Sequence, residues 1–207
     1  MRPASSMYAA LPFLVRRSKD NNGIGTAFLA SRGDTVRLIT CAHTAEGTQP
    51  TLNFNNWPRN FDIRVGGQWV NLPFFSNGDP AFTYRVREED GRMADMISPT
   101  LPADVLQVLQ REFKVFNLDK AFTCTPGQKL VAYGYPDVGE KEWPPVMQRS
   151  KGKAIDDLVH ANIPTQLGFS GGPVVAHGAN LAGMLLGTND NKQTVVMKAS
   201  VLALLFD

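Results

Sequence analysis

The chain has 207 residues, 43% of them apolar, and a formal net charge of +2. That near-neutral balance excludes a strong electrostatic pull toward nucleic acid or an anionic membrane. No apolar run approaches the roughly 20 residues that cross a bilayer as a helix. The length suits one large domain or two small ones sharing a core. With only two cysteines, Cys41 and Cys124, it is not a disulfide-dense secreted scaffold, and a reducing, cytoplasmic setting is expected.

In chain order, "MRPASSMYAALPFLVRRS" (1–18) opens with a short apolar run that Pro12 interrupts and Arg16 and Arg17 close. No small-residue cleavage site is evident, so this stretch reads as a leading strand and not an export signal. "GIGTAFLAS" (23–31) reads as a strand, "RGD" as a turn, and "TVRLITCAH" (35–43) as the hairpin partner. "FDIRV" (61–65), a Gly-Gly pair and "QWVNLPFF" (68–75) give a second hairpin. "RMADMIS" (92–98) precedes "PADVLQVLQREF" (102–113), the one clearly helix-like segment, with Val105, Leu106, Val108 and Leu109 on one face.

Strand signals resume with "KLVAYGYP" (129–136), "GKAIDDLVHANI" (152–163), "GGPVVAH" (171–177), "LAGMLLGT" (181–188) and "TVVMKA" (194–199). The tail "SVLALLF" (200–206) reads as a short closing helix. Short strands at turn-punctuated spacing indicate an all-β sandwich or barrel, without the alternating helices of a parallel sheet. The division falls into a front half (1–101), a connection (102–121) and a back half (122–207).

"TQLGFSGGPVV" (165–175) surrounds Ser170 with Gly168, Gly171 and Gly172. Glycine loses the most backbone entropy on folding, so three of them here imply a conformation that other residues cannot adopt. One interpretation is a tight turn in which the Gly168 and Ser170 N–H groups face one anion; a glycine-rich hairpin with an incidental serine is the other. A nucleophilic serine needs an imidazole to take its proton. Of three histidines, His177 follows Ser170 too closely along an extended strand, roughly 20 Å away. His160 lies inside a strand signal, either near the site or filling a sheet position. His43 ends an apolar strand, at a barrel rim or in a structural role. Asp95 stands out among the acids because Met93, Ala94, Met96 and Ile97 flank it; a carboxylate in such company is paired or costly.

Together, "TCAHT", "ADMI" and "GFSGGPVV" resemble the three signature blocks of chymotrypsin-like serine proteases, in that family's His, Asp, Ser order and with intervals of 52 and 75 residues. "GIGTAFLAS", "VAYGYP" and "LAGMLLGT" resemble its secondary blocks, so the likeness runs from about residue 22 to the end. The resemblance implies two antiparallel six-stranded β-barrels, with His43 as general base and acid, Asp95 as its orienter and Ser170 as nucleophile. Gly168 and Ser170 would supply the oxyanion hole. The expected activity is serine endopeptidase, acting on a peptide or protein substrate through an acyl-enzyme, with no cofactor and no metal.

Departures sharpen the expectation. Phe169 stands where digestive members carry an aspartate that pairs with a newly cut amino terminus, so activation by such a cut is not expected. Thr44 replaces a frequent cysteine, which leaves Cys41 and Cys124 as free thiols. The likeness is therefore greater to bacterial and viral members than to animal ones. Thr165 begins the substrate-pocket wall, and Pro164 falls where trypsin-like members hold an acid. Leu185, Leu186 and Gly187 form the opposite wall, where strand alternation allows at most one leucine to face the pocket. A small or medium apolar P1 residue follows.

Three other interpretations compete. "GFSGG" also fits the nucleophile elbow of α/β-hydrolases, but only 37 residues follow Ser170 and the pattern lacks βαβ units. "CAH" with distant Cys124 gives no recognisable metal-ligand spacing. A catalytically idle trypsin-fold module that binds peptides is the remaining alternative.

Overall fold

The computed structural model of the chain describes residues 8–18, 21–47, 50–136, 146–157, 159–176 and 180–207. β1 (Leu11–Ser18) runs antiparallel to β2 (Asn21–Arg32), with Phe13 opposite Gly25. β3 (Thr35–Ile39) returns beside β2, closing the hairpin expected from the sequence. The next residues do not continue the strand. Ala42, Ala45 and Glu46 are good helix formers, and they turn the chain into α1 (Ala42–Glu46), which stops at Gly47 with φ 135°.

β4 (Asn60–Val65) and β5 (Gln68–Pro73) form the second hairpin. Gly66 and Gly67 take φ 58° and 80° at its two-residue turn, as a turn matched to strand twist requires. The small pair β6 (Phe75–Ser76) and β7 (Asp79–Pro80) follows, then the antiparallel pair β8 (Phe82–Val86) and β9 (Met93–Pro99). An isolated bridge ties Thr40 to Ile97 through backbone hydrogen bonds of 3.2 and 3.0 Å. This bridge lays the second half of β9 beside Thr40, the residue that follows β3.

α2 (Ala103–Glu112) is the expected helix, with Pro102 as its cap and Leu109 buried. Val105, Leu106 and Val108 pack partly buried against the first core, as their spacing implied. β10 (Val115–Asn117) then pairs parallel with β2, so the connection contributes one strand to a sheet that is otherwise antiparallel. The first sheet runs β10-β2-β1-β4-β5, with β3 also on β2.

The second six-stranded sheet comprises β11 (Lys129–Gly134), β12 (Gln148–Lys153), β13 (His160–Ala161), β14 (Pro173–Val175), β15 (Leu181–Thr188) and β16 (Thr194–Lys198). Its order is β12-β11-β14-β15-β16-β13. The single strand expected over 152–163 is interrupted. Asp156 accepts hydrogen bonds from the N–H groups of Val159 and His160 at 2.8 and 2.9 Å, and this carboxylate cap bends the chain between β12 and β13. The tail forms α3 (Ala199–Leu202) and a final 3₁₀ turn over Ala203–Phe206.

Each curled sheet encloses its own apolar centre. In the first, the Phe13 ring stacks on Phe61 at 5.1 Å and Phe61 meets Phe74 at 4.7 Å. All three side chains are fully buried, and each such burial contributes about 1.5–3 kcal/mol. Phe169, Leu185 and Val196 belong to the second centre. A third cluster, including Phe28, Ile39, Ala94, Met96 and Met184, joins strands of both sheets. It is the floor on which the candidate site rests.

Candidate active site

His43 lies in the first turn of α1, not at the strand end where the sequence placed it, since β3 stops four residues earlier at Ile39. Asp95 is in β9 between Ala94 and Met96, which are 8% and 1% exposed and anchored in the shared cluster. Strand alternation therefore turns Asp95 to the opposite face. The Thr40–Ile97 bridge sets the register that brings the two together. The Asp95 carboxylate accepts the His43 backbone N–H at 2.9 Å through Oδ1, and its Oδ2 lies 2.7 Å from His43 Nδ1. Both side chains are about a quarter exposed, at 23% and 24%. A carboxylate held at two points on one residue fixes both the position of the ring and the nitrogen that carries its proton.

Ser170 arrives from the second sheet on a tight turn. Gly168 and Gly171 take φ 93° and 85°, which is the special conformation that the glycine run implied. A side chain at Gly171 has no room, since its Cβ would lie 2.1 Å from the Thr26 carbonyl and 2.5 Å from Thr40 Oγ1. Two bonds seat the turn on the first barrel, and a third braces Thr26 within it. Thr26 N–H donates to the Ser170 carbonyl at 2.8 Å, Thr26 Oγ1 donates to the Gly168 carbonyl at 2.7 Å, and Thr40 Oγ1 donates to the Thr26 carbonyl at 2.8 Å. Gly25 marks the closeness of the two segments: a Cβ there would meet Thr44, the neighbour of His43, at 2.3 Å and the Ser170 carbonyl at 3.2 Å.

Within the turn, the amides of Phe169, Gly171 and Gly172 donate to the carbonyls of Gln166, Leu185 and Phe169 at 3.2, 2.8 and 2.9 Å. The Ser170 hydroxyl donates to the Leu186 carbonyl at 3.0 Å. Phe169 is buried at 1% exposure, its ring against Gly134, so the position is apolar packing and offers no ion-pair partner.

Cys41, the cap of α1, is fully buried and its Sγ donates to the Leu185 carbonyl at 3.3 Å. Burial pushes its thiol well above the ordinary value, and the Asp95 charge adds to the effect. Cys124 is likewise buried and free, its thiol pushed up to about 11 by burial. Both cysteines are thus free thiols, in different apolar clusters.

The wall residues separate. Leu185 turns into the core of the second barrel at 1% exposure, while Leu186 is half-buried and lines a groove of about 1020 Å³ that also contains Asp95 and Met96. This is the alternation that allowed only one of the two to face outward. Thr165 is half-buried, and a methyl on Gly187 would meet open space. His160 is engaged elsewhere: its Nδ1 lies 2.7 Å from Asp156 Oδ2. Asp156 is held down at about 2, first by the His160 N–H. His177 lies outside the described residues.

Sequence reasoning did not single out Thr26 or Thr40, the two threonines that clasp the serine turn. The signal available was two hydroxyl residues in otherwise apolar strands, "GTAFL" and "LITCA"; both are fully buried. Buried hydroxyls need partners: Thr26 donates to the Gly168 carbonyl of the opposite barrel and Thr40 to the Thr26 carbonyl.

No family model matches the chain, and no curated protein does. Solved structures do. The Rv3671c protease of M. tuberculosis in its active form superimposes with a TM-score of 0.59 at 17% identity, over 98% of this chain and 81% of that one. The serine protease domain of the Sesbania mosaic virus polyprotein gives 0.56 at 14% identity, over 98% and 94%. The MamO protease domain of Magnetospirillum magneticum gives 0.56 at 13%, over 96% of both chains. The chain has the chymotrypsin-like two-barrel fold. Its structural neighbours are bacterial and viral serine proteases, and among the described residues no helix is long and apolar enough to cross a membrane.

Proposed function

We propose that this chymotrypsin-like chain is a serine endopeptidase that cuts peptide or protein substrates, with His43, Asp95 and Ser170 as its catalytic residues. The observation that carries this function is the two-point grip of Asp95 on His43, at 2.9 and 2.7 Å, beside a glycine-framed serine turn from the other barrel. Asp156 grips His160 in the same two-point way, so what sets His43 apart is the serine turn from the other barrel, whose Ser170 carbonyl lies against the Gly25–Thr44 contact next to it.

In the proposed reaction His43 Nε2 takes the Ser170 proton as Oγ attacks the substrate carbonyl, and Asp95 stabilises the imidazolium that results. Before attack the hydroxyl turns from the Leu186 carbonyl toward the ring. The developing oxyanion is received by the amides of Gly168 and Ser170, since the fold already uses those of Phe169, Gly171 and Gly172. His43 then returns the proton to the leaving amine, and water releases the acyl group by the same path in reverse. Phe169 cannot pair with a new amino terminus, so the uncut chain is competent.

For P1 the proposal is a small or medium apolar side chain. Pro164 and half-buried Thr165 offer no charge, and Gly187 leaves space whose strand partner is half-buried Val195. Profiling against an unbiased peptide library, with Ser170→Ala as control, is expected to show cleavage after residues of Ala to Leu size. Efficient cleavage after Arg or Lys would overturn this preference.

A further inference from the structure

Cys41 has no part in the proposed reaction, yet its sulfur lies among the atoms that do. Its Sγ, a ring nitrogen of His43 and a carboxylate oxygen of Asp95 all fall within 4.8 Å of one another, and among the described residues no other such group of three occurs. We propose that these three side chains form an inhibitory site for zinc or a similar borderline divalent cation. Thiolate, imidazole and carboxylate are the donor types that such ions select, and three protein ligands with one open position are a stable arrangement for them.

The spacing missed this site because Asp95 joins Cys41 and His43 only through the Thr40–Ile97 bridge. Ligand atoms around zinc stand about 3.5 Å apart at bond lengths of about 2.0–2.3 Å. The 4.8 Å outer span must therefore contract, while the Asp95 Oδ2–His43 Nδ1 pair, 2.7 Å apart, must open if those two atoms are ligands. Cys41 and His43 lie at the start of α1, and the floor beneath them is apolar, which limits water as a competitor for the ion. Asp95 lines the Leu186 groove and would offer the ion its first ligand there, while fully buried Cys41 must turn its sulfur from the Leu185 carbonyl to complete the set.

On binding, the Cys41 thiol loses its proton to solvent and the cation takes sulfur, nitrogen and oxygen together. If the nitrogen is Nδ1, its proton moves to Nε2 and His43 can no longer accept from Ser170. If it is Nε2, the base itself is capped. Either way the nucleophile loses its base, reversibly.

The experiment uses Co²⁺ as a spectroscopic probe and Zn²⁺ as competitor on the full chain. One equivalent of Co²⁺ is expected to give a thiolate-to-cobalt charge-transfer band that Zn²⁺ removes. The band should persist in Cys124→Ala and in Ser170→Ala and vanish in Cys41→Ala. In the same samples Zn²⁺ should suppress fluorophosphonate labelling of the wild-type chain, with recovery on chelation. Cys41→Ala should label normally and need about 100-fold or more Zn²⁺ for the same suppression, because losing even an outer partner of a metal ligand costs up to that factor. No band in the wild type, or a band retained in Cys41→Ala, overturns the site. His43→Ala, which should also lose the band, decides the matter if Cys41→Ala fails to fold. Because the band is read without turnover, a chain that binds Co²⁺ but never labels refutes the protease proposal and leaves the metal site standing.

Discussion

Ser170→Ala is expected to slow peptide hydrolysis about 10⁶-fold, the scale on which a lost nucleophile acts when its triad partners cannot substitute for it. The change removes one oxygen whose hydrogen bond runs to the Leu186 carbonyl. None of the contacts that seat the turn involves the Ser170 side chain: the Ser170 carbonyl is on Thr26 N–H, the Gly168 carbonyl on Thr26 Oγ1, and the Phe169 ring in the second core. The variant should therefore fold as the wild type does and bind peptides with unchanged affinity. Turnover of a fluorogenic peptide, measured beside equilibrium binding of the same peptide, checks both halves. Equal turnover in the two proteins would remove Ser170 from the chemistry. Binding without turnover in the wild type would instead favour the idle peptide-binding module.

Asp95→Asn is expected to lower kcat about 10⁴-fold with little change in stability, because the amide fills the same volume. The oxygen of Asn can still accept one of the two His43 groups that Asp95 now holds, the backbone N–H at 2.9 Å or Nδ1 at 2.7 Å. Its NH₂ must then face the other. If it faces Nδ1 it can only donate, which forces the ring proton onto Nε2, the nitrogen that must accept from Ser170. A neutral side chain also cannot stabilise the imidazolium. The check is a full pH profile: a kcat that recovers at alkaline pH would support tautomer control, whereas a kcat within tenfold of wild type at neutral pH would show that Asp95 is not the orienter.

The sheets were largely legible because the strands are short and end in strong turn signals. "LAGMLLGT" became β15 with both ends as expected, and Gly66–Gly67 marked the β4–β5 hairpin directly. The errors fall where side chains override pattern. In "TCAHTAEG" the helix formers Ala42, Ala45 and Glu46 are too few to mark a five-residue helix against the apolar strand run that leads into them. Asp156 split one strand signal into two by capping a turn, an effect that depends on a carboxylate finding two amides ahead of it.

The site divided in the same manner. Asp95 stood out because a carboxylate among Met93, Ala94, Met96 and Ile97 needs a partner, and His43 is that partner. Leu185 and Leu186 could not be assigned to core or groove from sequence, as adjacent strand residues face opposite ways and the pattern is apolar on both faces. The approach of Cys41 to Asp95 was invisible for a different reason: it depends on which strands become neighbours.

The most direct test of the proposed unit is fluorophosphonate labelling of the purified, uncut chain, with the modified peptide located by mass spectrometry. Ser170 should carry the label, and His43→Ala should label more slowly by orders of magnitude although its serine hydroxyl is intact. Labelling of His43→Ala at the wild-type rate, or labelling that begins only after amino-terminal cleavage, would contradict the account given above.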